Sequence, residues 1–351
     1  METLEKTAKS IPLKLFAKYI KKSIKEKEFE KQMELPEQKS PLFDGLLSVI
    51  VPCKNETEMI ASFYAEFEKT IATMGNPNYE IIFVDDGSTD TTLAEIQKLA
   101  EKNPQVQYIS FTRNFGKESA MYAGLKSAKG DYITIMDADL QDPPSLLPEM
   151  FNAILNEGFD SASARRRTRD GEPPVRTFFA KVFYDVLNKL SPLKFVEGAR
   201  DYRLMTREML NAVLELCEYN RFTKGIYEWV GYKTKWIEYD NIERPAGQTK
   251  WTLWQLAIYS IDALTSFSSV PLILVSFLGI IFCAFSALAI VFLSIRQLIF
   301  HNSAYGWTSM ICIIFFLSGI QLFCIGILGQ YISKIYLETK HRPHFIIKKK
   351  S

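Results

Sequence analysis

Between Ala263 and Ser333 the sequence carries a single charged side chain, Arg296. A soluble domain of ordinary composition exposes acidic and basic groups throughout, so this absence excludes one for that stretch. Histidine is almost missing: His301, His341 and His344 are the whole supply, and no imidazole precedes them for base or metal chemistry. The five cysteines, Cys53, Cys217, Cys283, Cys312 and Cys324, have neither metal-ligand nor disulfide-framework spacing, which agrees with a reducing compartment. No G-x-G-x-x-G or G-x-x-x-x-G-K-[ST] motif is present, which excludes the two commonest phosphate-binding loops. Met1 to Ser40 has no apolar core of the signal-peptide kind. A net charge of +2 over 351 residues points to no polyanionic partner, and no nucleic-acid binding is expected.

The uncharged stretch holds two apolar runs, roughly Val270 to Ile295 and Met310 to Ile332. Each is long enough to cross about 30 Å of hydrocarbon as a helix. The polar connection from His301 to Trp307 has no Lys or Arg, whereas Lys334, Lys340, Arg342 and Lys348 to Lys350 follow the second run. The positive-inside bias predicts a hairpin with both termini cytoplasmic and the connection outside, Tyr305 and Trp307 sitting at the interface. Five regions follow: a basic extension at 1–45, a catalytic-type α/β domain at 46–250, a juxtamembrane amphipathic helix at 251–268, two spans at 269–333 and a basic tail at 334–351. In the extension Ile11, Leu15, Tyr19 and Ile24 recur at helical spacing against Lys14, Lys18, Lys21 and Lys25. That pattern suits a membrane surface or a solvated helix equally.

From Leu46 the pattern alternates apolar strands with amphipathic helices. Leu46–Val51, Tyr79–Val84, Val106–Phe111 and Asp131–Met136 read as strands, short and almost continuously apolar. Such alternation predicts a mainly parallel sheet covered on both faces, with ligands at the carboxyl ends of the strands. Polar clusters stand just there: Pro52 to Glu56, Asp85 to Asp90, Arg113 to Lys117, and Asp137 to Pro144.

Asp137-Ala138-Asp139 is the most informative cluster. Two carboxylates at i and i+2 on one strand end repel unless a cation joins them. Hard oxygen ligands suit Mg²⁺ or Mn²⁺ bridging to a diphosphate; a structural turn is the alternative. An EF-hand is excluded, because Asp142 and Pro148 stand where Gly and Glu are needed. Asp85-Asp86-Gly87-Ser88 offers carboxylates to ribose hydroxyls or a base edge, or forms a turn with Ser88 or Asp90 as helix cap.

These clusters, in this order, resemble glycosyltransferase family 2 of the GT-A fold. The likeness is carried by Ser48-Val49-Ile50-Val51-Pro52, Asn55-Glu56, Val84-Asp85-Asp86-Gly87-Ser88, Arg113-Asn114-Phe115-Gly116-Lys117 and Asp137-Ala138-Asp139-Leu140-Gln141-Asp142-Pro143-Pro144. Within the family the chain is most similar to polyprenyl-phosphate glycosyltransferases, through Asp201-Tyr202-Arg203, Asn220-Arg221-Phe222, Arg244 to Trp251, Gly306-Trp307-Thr308-Ser309 and Gly329-Gln330-Tyr331. The resemblance implies that Asp137, Asp139 and Gln141 hold Mg²⁺ or Mn²⁺. It places Pro52, Asn55, Glu56, Asp85, Asp86, Gly87, Ser88 and Lys117 around the nucleotide of a nucleotide-sugar, expected to be UDP-linked. It gives Arg166, Arg169, Asp201, Arg203, Arg221, Arg244 and Lys250 to the diphosphate and to the phosphate of a polyprenyl acceptor, with Arg203 in a catalytic role. Assembly of copies through the membrane helices rests on the resemblance alone. A processive polysaccharide synthase would carry a Gln-x-x-Arg-Trp motif, which is missing here. An inactive sugar-nucleotide-binding scaffold would have no use for the intact Asp137/Asp139 pair.

Overall fold

The computed structural model describes residues 44–167, 185, 188–189, 191, 193–240, 265–300 and 306–351. The basic extension up to Phe43, Arg169, Arg244, Lys250, the juxtamembrane segment as far as 264 and the connection from His301 to Tyr305 lie outside the described residues.

The predicted strand–helix alternation is present. β1 (Leu46–Cys53), β2 (Asn78–Asp85), β3 (Val106–Phe111) and β4 (Tyr132–Ile135) are joined through α1 (Met59–Thr73), α2 (Thr92–Lys102) and α3 (Lys117–Ser127). A 3₁₀ turn at Pro144–Leu146 leads into α4 (Leu147–Leu155) and β5 (Ser161–Arg166). Then come β6 (Ala199–Thr206), α5 (Arg207–Glu215), α6 (Thr223–Trp229) and β7 (Thr234–Tyr239). The eight-stranded sheet has the order β7-β5-β6-β4-β1-β2-β3-β8, its last member being β8 (Ile347–Lys350). β1 pairs parallel with β2 and β4, and β2 with β3. β6 runs antiparallel between β4 and β5. The carboxyl ends of β1 to β5 and the amino end of β6 therefore share one edge.

Side-chain alternation builds a core on each face. Leu47, Val49, Val51, Ile81 and Phe83 face Ile60, Phe63 and Phe67 of α1 and Met150 and Phe151 of α4. Ile50, Ile82, Val84, Ile133 and Ile135 face Met121 and Leu125 of α3, Met209 of α5 and Ile226 of α6. Strands buried on both sides explain why each read as an almost continuous apolar run.

The two apolar runs are α7 (Val270–Phe300) and α8 (Trp307–Thr339). Both are long and apolar enough to cross a membrane, with mean hydropathy 2.6 over Val270–Ala289 and 2.0 over Ile313–Thr339. Phe282 and Phe316 meet edge-on between them at 6.3 Å. The sequence reading ends the second span at Ser333 and makes the remainder a tail. In the structure α8 runs six residues further, and Ile347–Lys350 returns to the catalytic sheet. Three lysines in four residues hid that strand, although lysine is what an edge strand commonly carries.

α3 lies closely on β1 because Gly124 faces Ile50: a Cβ on Gly124 would stand 2.2 Å from Ile50 Cγ2. Helix propensity favours Gly→Ala by up to about 1 kcal/mol, whereas overpacking of a filled core costs about 1–3 kcal/mol. Gly124→Ala should therefore lower the melting temperature of the purified protein. A rise would mean that α3 is not seated on Ile50.

Candidate active site

Three turns close on one another at the shared edge. Gly87 has φ 63°, and a Cβ there would lie 2.4 Å from the carbonyl carbon of Arg113, so this turn requires glycine. Buried Asp85 accepts hydrogen bonds from Ser88 N at 3.0 Å and Ser110 Oγ at 2.8 Å. Asp86 accepts from Phe115 N at 2.6 Å and Gly116 N at 3.0 Å, tying the turn after β2 to the turn after β3. Burial pushes the Asp86 carboxyl up, and these amides pull part of the way back. Asn55, in the left-handed region at φ 55°, accepts from Thr89 N at 2.9 Å and donates its own N–H to Ser88 Oγ at 3.0 Å. Glu56 N donates to Thr92 Oγ1 at 2.9 Å, and Pro52 stands opposite Val84 in the ladder. Asn55, Asp85, Asp86 and Ser88 thus shape the loops, and Asp85 and Asp86 are both buried.

Beside these turns lies a cluster of opposed charges. Lys117, the first residue of α3, places Nζ 2.7 Å from Asp137 and 2.6 Å from Asp201. Lys224 is 3.7 Å from the other Asp201 oxygen. Burial pushes Asp201 up, but Lys117 and Lys224 outweigh it and hold the carboxyl well below the usual range. For Asp137 burial wins: its carboxyl is raised in spite of Lys117, and Asp201 and Asp142 add to the shift. Burial opposes the Lys117 charge, yet its two carboxylates hold the ammonium above the ordinary lysine range. Buried Asp142 takes Arg200 Nε at 2.8 Å and the Tyr239 hydroxyl. Arg166 donates to Gln141 Oε1 at 3.2 Å and to Tyr239 Oη at 3.4 Å. Asp139 accepts from Gln141 N at 3.1 Å across Leu140, which is itself in the left-handed region at φ 55°.

The sequence reading named Asp137, Asp139, Gln141, Lys117, Arg166 and Asp201, and the structure brings these six to one edge. It missed Arg200, Lys224 and Tyr239, and gave Asp142 no role. Arg200 and Asp201 reach this edge only because β6 runs antiparallel, which no periodicity in the sequence signals.

Arg203 does not join the cluster. Its guanidinium is 3 % exposed, donates to Thr234 Oγ1 at 3.1 Å and Ser161 Oγ at 3.3 Å, and pairs with Glu228 at 3.4 Å. It lies 4.4 Å over the Tyr227 ring. Two residues further along β6 than Asp201, it is carried down the strand into the sheet face, where it fastens β5, β7 and α6. The expected phosphate contact is replaced by a structural one. Arg221 is also buried, its guanidinium 4.3 Å over the Tyr122 ring and donating to the Leu216 carbonyl.

Among the described residues no group of three or more His, Cys, Asp or Glu side chains is arranged around a metal position. A small hard cation needs less from the protein. One or two carboxylates suffice when substrate phosphates and water supply the other ligands, and Asp137 and Asp139 fit that donor set.

Residues 48–214 match the sequence pattern of glycosyl transferase family 2. The chain is 39% identical to a putative glycosyltransferase, CsbB, of Bacillus subtilis (strain 168), over 87% of this chain and 92% of that protein. It is 40% identical to the bactoprenol glucosyl transferase of Shigella phage SfV, over 86% of this chain and 98% of that one. A solved structure of the mannosyltransferase PcManGT from Pyrobaculum calidifontis, in complex with GDP-Man and Mn²⁺, aligns with a TM-score of 0.44 at 17% identity, covering 84% of this chain and 88% of that one. The chain belongs to glycosyl transferase family 2. It is a glycosyltransferase, and its mainly parallel sheet with helices on both faces is the arrangement the sequence motifs predicted.

Glu118, next to Lys117, supplies a pH test of this geometry. Its carboxylate accepts from Thr223 N at 3.1 Å and from the Thr223 hydroxyl. Burial pushes its pKa from 4.5 up to about 7. Between these values the unfolded chain has lost the proton that the folded protein keeps, so stability falls as pH rises through the window and levels off above it. Glu118→Gln should remove that slope from a plot of melting temperature against pH. A wild-type-minus-variant difference that stays constant from pH 4.5 to about 7 would place Glu118 in water.

Proposed function

We propose that this enzyme transfers one sugar from a nucleotide-sugar, expected to be UDP-linked, to a polyprenyl phosphate at the cytoplasmic face of a membrane. The observation that carries this reading is the likeness, across nearly the whole length, to a protein named bactoprenol glucosyl transferase. Two features of the chain support it. The charged edge suits a diphosphate, and the apolar helices α7 and α8 suit an acceptor confined to a membrane.

The chemistry is a single displacement with inversion. A phosphate oxygen of the acceptor attacks the anomeric carbon, and the bond from that carbon to the nucleoside diphosphate breaks. The diphosphate leaves whole. A phosphate monoester has a second pKa of about 6, so at neutral pH the nucleophile is already largely dianionic. It needs no strong base. Asp137 and Asp139, with Gln141, would hold Mg²⁺ or Mn²⁺, which neutralises charge on the departing diphosphate. Lys117 adds a cation held in place by Asp137 and Asp201, and Arg200 and Arg166 flank the same edge. Donors already fixed there need little reorganisation as the leaving group gains charge. The turns held by Asp86 and Asn55 face the nucleotide. Arg169, Arg244 and Lys250 remain candidates for the acceptor phosphate.

To test the acceptor, full-length enzyme is incubated with a panel of nucleotide sugars and undecaprenyl or dolichyl phosphate. One donor should give an acid-labile glycolipid, and none should form without the lipid phosphate. Transfer to a soluble sugar or protein instead would sink the proposal.

Excess chelator should abolish transfer, and Mg²⁺ or Mn²⁺ should restore it. Asp137→Ala and Asp139→Ala should each lose at least about a hundredfold in kcat, the scale seen on removing one electrostatic stabiliser. Full activity in chelator would contradict the assigned donor set.

The pairing of β8 with β3 supports placing the residues after α8 on the same side of the membrane as the catalytic domain. In sealed vesicles, cysteines replacing Ser303 and Lys340 should react with impermeant reagent from opposite faces. Labelling of both from one face would refute the hairpin.

A further inference from the structure

The residues beyond the membrane hairpin come back to the donor side of the catalytic sheet. β8 pairs antiparallel with β3, with Ile109 opposite Lys350 and Phe111 opposite Ile347. The ladder is extended at both ends: Thr112 N donates to the Ile346 carbonyl at 3.0 Å, and Ser351 N to the Tyr108 carbonyl at 3.1 Å. Side chains continue the contact inward. Phe345 stacks on Phe111 with ring centroids 5.0 Å apart and an interplanar angle of 11°. Phe111 in turn meets Phe115 edge-on at 5.7 Å, and the Arg113 guanidinium closes over the far ring at 4.0 Å. The amides of Phe115 and Gly116 are the ones that hold Asp86. A continuous chain of contacts thus runs from the tail, through Phe111 and Phe115, to a carboxylate beside Gly87.

On the membrane side the same tail is secured separately. His344 packs edge-on against Tyr122 at 4.8 Å and stacks on Tyr219 at 5.6 Å. Tyr219 N donates to Glu338 Oε1, near the end of α8, at 2.7 Å. The tail is therefore fastened at both ends of the short stretch that bears Phe345.

We propose that Phe345 is a positioning residue for the nucleotide side of the active site. It braces the turn from Thr112 to Gly116 so that the Phe115 and Gly116 amides stay on Asp86. The turn after β3 is long and polar, and the rings of Phe111 and Phe115 are its apolar footing. Without Phe345 one face of Phe111 loses its partner, and the turn opens more often. This rests on the reading above that the 85–88 turn meets the nucleotide, so one measurement must be independent of that reading.

Hydrogen exchange of the full-length chain in lipid nanodiscs supplies it, alongside steady-state kinetics with UDP-glucose. In Phe345→Ala, exchange of the Phe115 and Gly116 amides should speed up roughly two- to tenfold, the factor set by losing one aromatic pair. Strands β1 and β4 should keep wild-type exchange. KM for UDP-glucose should rise by a similar factor, while kcat and KM for polyprenyl phosphate stay within about twofold. Phe345→Tyr, which keeps the ring, should restore both readouts, and Phe345→Leu carries the same comparison if the Ala variant does not fold. Unchanged exchange at Phe115 and Gly116 would overturn the proposal. So would faster exchange across the whole sheet with a matching fall in kcat, which marks a merely structural role. Faster exchange confined to the turn, with KM for UDP-glucose unchanged, would instead remove the nucleotide from the 85–88 turn and the donor-side role with it.

Discussion

Lys117 holds one ammonium between two carboxylates, Asp137 at 2.7 Å and Asp201 at 2.6 Å, at the edge where the strands end. Four aspartates crowd this edge, Asp137, Asp139, Asp142 and Asp201, and like charges so close cannot all ionise without compensation. Lys117, Lys224 and Arg200 provide it in part. The Asp137 carboxyl is nonetheless raised, because burial outweighs the Lys117 charge and Asp201 and Asp142 add to the shift. A carboxylate in that condition has most to gain from a further cation. The same crowding suits the divalent cation proposed above.

Everything that positions Lys117 follows from the packing beneath it. α3 lies on β1 through Gly124 and starts where Gly116, held at φ 96°, lets the chain turn in from β3. Asp86 fixes that turn by accepting its amides, and Gly87 permits the approach by having no side chain. β6 then brings Arg200 and Asp201 in from the opposite direction. The site is thus a property of strand order and direction, and each charged group reaches it from a different element.

This origin also sets how much was legible in the sequence. Almost continuously apolar strands separated by helices named the sheet, because burial on both faces leaves few polar positions inside a strand. The carboxyl-end rule then located Asp85, Asp86, Lys117, Asp137 and Asp139 correctly at one edge. Arg203 sits away from the cluster for a reason of depth: it shares a sheet face with Asp201 but lies two residues further along β6, and a motif quoted as Asp201-Tyr202-Arg203 does not say how far from the edge each member sits. Arg200 was overlooked for the complementary reason, since an antiparallel strand delivers its first residues where its neighbours deliver their last. β8 was illegible because its pairing partner lies more than two hundred positions earlier and its composition reads as a charge run. Local pattern reports burial well; it does not report strand direction or long-range pairing.

The central claim is that an acceptor phosphate, already ionised, displaces an intact nucleoside diphosphate at this edge. Phosphorus-31 NMR of a turnover mixture follows the acceptor and the leaving group together. The account predicts that the polyprenyl monophosphate signal converts to a phosphodiester while nucleoside diphosphate accumulates in equal amount. Accumulation of nucleoside monophosphate, with a sugar diphospholipid as product, would contradict it.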